Sequence, residues 1–242
     1  MIQPYGQVET RHVCMQQKIR IIKGGNSLSA FWLKLIAAAT MLIDHVGLLF
    51  FPQLAIFRMI GRISFPLYAF LAAEGAANTR HKTRYLARLF LFAMLSELPF
   101  RLAFSVSWKE WTPQNVMFTL LAGVASCFAC TNLKKWQAVL CTAALAALAQ
   151  LCGSDYGAYG VLTVVLFYVL RAEKAGQGIS FSLLTVLHTA RTGAMLQTFS
   201  VFALVPCAFY NGTRGRDLRW FFYAFYPAHL LVLWGIHIML LQ

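Results

Sequence analysis

Long apolar stretches follow one another from Ala30 to the end of the chain, separated only by brief polar breaks. Most of them reach or approach the roughly 20 apolar residues that a helix needs to cross the hydrocarbon core of a bilayer. The pattern predicts about nine spans, at 30–51, 54–77, 84–106, 114–131, 135–152, 156–171, 177–191, 194–210 and 219–241, of which the seventh is the shortest. The predicted fold is all-α, a polytopic transmembrane helical bundle. A short basic tail, 1–28, precedes a single transmembrane domain, 29–242, with no internal repeat and no linker.

Composition agrees with this reading. Of 242 residues 59% are hydrophobic and only 12% charged, and the mean hydropathy is +0.62. A soluble fold of this size has no interior large enough to hide that much apolar surface, and membrane lipids become the expected partner.

The net charge of +13 changes the picture only through its distribution. The basic residues form no continuous face for nucleic acid; they sit in the breaks. With a cytoplasmic N-terminus, the inner segments hold Arg11, Lys18, Arg20 and Lys23, then Arg80, Lys82 and Arg84, Lys134 and Lys135, Arg171 and Lys174, and Arg214, Arg216 and Arg219, which is 14 of the 21. The outer segments hold Lys109 with Arg101 and Arg191 at their margins. This asymmetry follows the positive-inside rule and predicts a multi-pass protein of a bacterial inner membrane, N-terminus in and C-terminus out. The first span follows basic residues without a small-residue cleavage site, so it is expected to remain in the mature protein. Met15 is an alternative start to Met1. The cysteines lie mostly within apolar stretches; Cys127-x-x-Cys130 has no second pair or histidine partner, which favours helix packing over a metal or redox site, and no metal is expected.

Ionisable residues inside the spans are costly and therefore candidates for function. Asp44 and His45 lie in the first span, Arg58, Arg62 and Glu74 in the second, Arg88, Glu97 and Arg101 in the third, and His229 and His237 in the last, with Asp155 at the mouth of the sixth. Helical rise places Asp44, His45, Arg58, Arg62, Glu97 and Arg101 in the outer half of the bilayer. Arg58 and Arg62 share one helix face and can meet Asp44 or His45; Glu97 and Arg101 have the spacing of an intrahelical ion pair. Glu74, Arg80, Lys82, Arg84 and Arg88 gather at the inner end, where an anionic, phosphate-bearing cofactor could bind. Each set also has a plainer reading: positive-inside residues for the inner cluster, a structural ion pair for Glu97 and Arg101, interhelical hydrogen bonds for Tyr226 and His229, and an interfacial position for His237.

Met41-x-x-Asp44-His45 followed by Gly61-Arg62-x-x-Phe65-Pro66 resembles the TraX family of membrane proteins. The resemblance continues through Arg84-x-x-x-Arg88-Leu89, Ser96-x-x-Pro99-Phe100, Asn115, Asp155-Tyr156-Gly157-x-x-Gly160 and Tyr226-Pro227-x-His229-Leu230, covering roughly residues 30 to 235. It implies acetylation of the N-terminus of pilin during conjugative pilus maturation, with acetyl-CoA as donor. A looser likeness links the chain to larger membrane acyltransferases.

These readings combine into an expected acyltransferase with an amine or hydroxyl acceptor, whether pilin, an envelope glycan or another substrate. His45 is the candidate general base, Asp44 its orienting group or a partner of an arginine, and Arg62 a stabiliser of developing negative charge. His229 is a second base or acyl-accepting group. Arg58, Glu74, Arg84, Arg88, Glu97, Arg101, Asn115, Asp155, Tyr156 and Tyr226 are candidates for binding donor or acceptor. Two rival classes stay open: a proton-coupled transporter, which intramembrane charges also serve, and a non-catalytic assembly subunit of a pilus or envelope complex.

Overall fold

A computed structural model describes residues 27–104 and 115–240. The expected N-terminal basic residues, Met15, Cys14 and Lys109 lie outside the described residues. Within them the chain is helical: α1 (Ala30–Phe50), α2 (Ala55–Gly61), α3 (Ser64–Asn78), α4 (Lys82–Ala103), α5 (Val116–Asn132), α6 (Lys135–Leu151), α7 (Gly157–Val169), α8 (Lys174–Thr192), a 3₁₀ segment (Met195–Ala203) that runs into α9 (Leu204–Ala208), and α10 (Arg219–Leu240). An isolated bridge between Leu28 and Tyr210 ties the start of α1 to the segment after α9. Ala30–Phe50, Ala55–Asn78 and Trp220–Leu240 are long and apolar enough to cross a membrane.

The structure departs from the hydropathy pattern in three places. The second stretch is broken at Arg62 and Ile63. Pro66 has no N–H to give the Arg62 carbonyl four residues earlier, and its ring crowds that carbonyl, so α2 stops and α3 restarts with proline in its first turn. The seventh stretch is a full helix of 19 residues that begins earlier than its hydropathy suggests. Its polar first turn is satisfied by packing, since buried Gln177 donates from Nε2 to the Phe167 carbonyl at 3.0 Å. The eighth stretch is a nine-residue 3₁₀ segment followed by a five-residue helix. Such 3₁₀ runs rarely exceed three or four residues.

Small residues let the helices approach closely, the usual device where no water drives association. Ala37 and Ala38 on α1 and Ala69, Ala72, Ala73 and Ala76 on α3 are all buried, and Ser64 donates to the Ala37 carbonyl at 2.9 Å. Gly123 on α5 lies against Val164 on α7, where a Cβ would come within 2.7 Å of the valine. Large apolar side chains face outward instead, among them Trp136, Val139, Leu148, Leu183 and Val232. An apolar exterior on so many helices suits lipid rather than water.

Candidate functional site

The broken second span sets the site. Arg58 on α2 and Arg62 in the break are one turn apart and point at the same carboxylate on α1. Arg58 Nη1 donates to Asp44 Oδ2 at 2.7 Å, and Arg62 Nη2 stands 3.6 Å from the same oxygen. Asp44 is 8% exposed. The approach depends on Gly61, because a Cβ there would lie 2.0 Å from Asp44 Oδ1. The Gly61-Arg62 pair and Pro66 thus act together: proline ends the helix, arginine turns onto α1, and glycine makes room for the carboxylate. Among the described residues Asp44 Oδ1 and Arg62 Nε are buried without hydrogen-bond partners, one an open acceptor and the other an open donor.

A chain of polar groups leads away from Arg62. Its Nη1 lies 3.4 Å from Gln197 Oε1 on the 3₁₀ segment. Gln197 Nε2 reaches the Tyr159 hydroxyl at 3.4 Å, which bonds Thr185 Oγ1 at 3.0 Å. Asp155 and Tyr156 close the same cluster from the start of α7. Asp155 is among the charges acting on Arg58 and Arg62, and the Arg62 guanidinium lies 6.0 Å from the Tyr156 ring centre. Tyr156 has φ 64°, a left-handed conformation costly for a side chain with a Cβ. Its ring stacks on Phe65 at 3.9 Å, and the Asp155 carbonyl accepts a hydrogen bond from Thr119.

His45, one residue beyond Asp44, projects from a face of α1 turned about 100° away. It meets α10, where His45 Nδ1 lies 2.8 Å from His229 Nε2. The two rings are parallel to within 1° with centres 5.0 Å apart. A nitrogen contact of 2.8 Å is too short for face-to-face rings, so they are joined edge to edge in a common plane. The edge of Phe104 packs against His45 at 5.2 Å, and Phe225 stacks on His229 at 4.8 Å. Tyr226 is buried beside His229, with its phenol hydrogen-bonded to the Val116 backbone. The charges of Arg58 and Arg62 also act on His45, so both faces of α1 belong to one electrostatic unit.

Other expected residues are placed differently. Glu97 and Arg101 pair at 2.8 Å as their spacing requires, but the second Glu97 oxygen accepts from Asn115 Nδ2 at 2.7 Å. Asn115, fully buried, also donates to the Ala93 carbonyl and caps α5 by accepting from Met117 N. This trio binds α4 to the start of α5, and the structure gives it the geometry of a helix tie. Glu74 is not brought to Arg84 and Arg88: it is hydrogen-bonded by Tyr210, with Arg171 and Lys174 as the nearby charges. Lys82 binds Thr131 and Asn132, Arg84 is exposed, and Arg88 packs 5.8 Å from the Tyr85 ring with its Nε unpartnered among the described residues. His237 packs against Phe50 near the end of α10.

Gln197, Tyr159 and Thr185 are site residues not expected from the sequence; their signal is a polar side chain within an apolar stretch. Lys34, inside α1 and 5.6 Å from the Phe222 ring, was detectable by the same rule as Asp44. Among the described residues no three of His, Cys, Asp and Glu lie close enough to hold a metal ion.

Helical architecture, apolar stretches of spanning length and a buried acid, arginine and histidine cluster define a helical membrane protein with a polar centre. Sequence comparison agrees at the level of family: residues 29–237 match TraX protein, and the chain belongs to the TraX family. It is 30% identical over 242 residues to the probable fimbrial assembly protein FimC, serogroup H1, of Dichelobacter nodosus, a match covering 85% of this chain and 94% of that protein. It is 25% identical over 218 residues to Protein TraX of Escherichia coli, covering 83% of this chain and 84% of its relative. No solved structure matches the chain.

Proposed function

We propose that this protein is a multi-pass inner-membrane acyltransferase that moves an acetyl group from acetyl-CoA to an amine or hydroxyl acceptor in pilus or fimbrial assembly, with the N-terminal amine of a pilin-like protein as first candidate. About nine spans, with the N-terminus cytoplasmic and the C-terminus outside, follow from the positive-inside distribution. Donor enters from the cytoplasmic side, past Arg84 and Arg88, and acceptor from the other.

The observation that carries the reading is the contact of His45 with a second imidazole, 2.8 Å away, one residue along α1 from the Asp44 that gathers Arg58 and Arg62. A neutral imidazole takes the proton of an attacking amine or hydroxyl. A guanidinium of the Asp44 cluster stabilises the oxyanion formed when the thioester carbonyl is attacked, and Arg62 Nε, without a partner among the described residues, is a donor for that oxygen. Asp44 holds both arginines in place and offsets one of their two charges within the membrane. Asp155 and Tyr156 border the cluster where an acceptor enters.

The name of the Dichelobacter nodosus relative, a probable fimbrial assembly protein, also favours a second reading: a non-catalytic assembly subunit. Binding and slow hydrolysis of acetyl-CoA by the detergent-purified chain separates the two. The acyltransferase reading expects saturable binding and thioester loss that disappears in His45→Ala; absence of binding by folded wild-type protein removes the donor assignment.

A further inference from the structure

We infer that His229 is a positioning residue: with the Phe225 carbonyl it fixes the tautomer of His45 and leaves His45 Nε2 as the proton-accepting atom. A carbonyl oxygen only accepts, so the 2.7 Å contact between His229 Nδ1 and the Phe225 carbonyl puts a hydrogen on Nδ1. A neutral imidazole carries one N–H, so His229 Nε2 is a bare lone pair. The 2.8 Å contact with His45 Nδ1 is then donated by His45, whose single ring hydrogen is committed to it. The Nε2 atom of His45 is left with its lone pair free. Two doubly protonated rings cannot share this contact, since two N–H groups would face each other. Ring packing holds the line: Phe104 against His45 and Phe225 against His229 limit rotation of either imidazole.

The consequence for catalysis rests on the acyltransferase reading; the tautomer does not. When an acceptor amine or hydroxyl attacks, its proton forms a new N–H bond at His45 Nε2. The His45 Nδ1–H bond can then break as a new bond forms at His229 Nε2, so one added proton is held across two rings. The Phe225 carbonyl continues to accept from His229 Nδ1 throughout. Regeneration reverses the shift and releases the proton from His45 Nε2 to the departing thiolate. This is the logic by which a second group holds a catalytic histidine in its working tautomer.

The test uses the full chain in detergent micelles with ¹⁵N-labelled histidine, His45 signals being assigned by their loss in His45→Gln. Wild type is expected to show His45 protonated at Nδ1 and bare at Nε2. His229→Gln keeps an acceptor near the original Nε2 position and preserves that state, whereas His229→Leu loses the preference. In parallel, acetyl-CoA hydrolysis is expected to fall about a hundredfold or more in kcat for His229→Leu, with KM little changed, and to recover in His229→Gln. A His45 protonated at Nε2 in wild type, or a preference unchanged in His229→Leu, overturns the inference. An intact tautomer pattern in a protein without turnover supports the positioning role and removes the acyltransferase reading alone.

Discussion

His45 on α1 and His229 on α10 lie 184 positions apart in sequence, and their ring nitrogens are 2.8 Å apart in the fold. The contact joins the first long apolar helix to the last. It also gives two histidines that looked independent along the chain one shared hydrogen bond, beside the carboxylate that gathers Arg58 and Arg62.

The arginines are not equivalent. Arg58 bonds Asp44 at 2.7 Å whereas Arg62 stands at 3.6 Å and turns toward Gln197. Double-mutant cycles in detergent, using Asp44→Asn with Arg58→Gln or Arg62→Gln, are expected to give a coupling of about 1–3 kcal/mol for Arg58 and a smaller one for Arg62. Equal coupling contradicts this division of roles.

Gly61→Ala places a methyl group 2.0 Å from Asp44 Oδ1. Either the carboxylate or the break between α2 and α3 must shift, at a cost of about 1–3 kcal/mol. Thermal unfolding should show the loss, and it should shrink when Gly61→Ala is combined with Asp44→Gly, which removes the Oδ1, Cγ and Cβ atoms that the new methyl group meets. A loss unaffected by the second change points to another cause.

Asn115 is expected to be structural. Asn115→Ala removes the cap of α5, worth about 1 kcal/mol, and the Asn115 Nδ2 hydrogen bond to the Glu97 carboxylate, worth about 1–3 kcal/mol more. Stability should fall while thioester hydrolysis per folded molecule stays near wild type. Loss of turnover at full stability assigns Asn115 to the acceptor path instead.

The proposed topology is checked by single cysteines introduced at exposed turns of a chain whose native cysteines are replaced. Lys134→Cys, between α5 and α6, should be shielded from an impermeant thiol reagent added to whole cells, and Thr192→Cys, at the end of α8, should be labelled. The reverse pattern inverts the orientation.

Much of the helical framework was legible because hydropathy reports burial in lipid, and each apolar stretch with a described structure forms helix. Interruptions were harder to read. Pro66 marks the break in the second stretch, yet only the fold reveals that the break turns Arg62 onto Asp44. The 3₁₀ geometry of Met195–Ala203 leaves no trace in hydropathy, which does not distinguish one helical pitch from another. Local spacing correctly paired Glu97 with Arg101 and put Arg58 and Arg62 on one face. It could not pair His45 with His229, nor separate Glu74 from Arg84 and Arg88, because those relations depend on which helices become neighbours.

The most direct measurement of the central claim is mass spectrometry of a pilin N-terminal peptide incubated with acetyl-CoA and the purified protein, wild type against a folded His45→Gln. The account predicts an acetyl group on the peptide's terminal amine with wild type and essentially none with His45→Gln. Acetylation undiminished in His45→Gln contradicts the assignment of the base. No transfer to amine or hydroxyl acceptors, and no thioester hydrolysis by well-folded wild type, contradicts the acyltransferase itself.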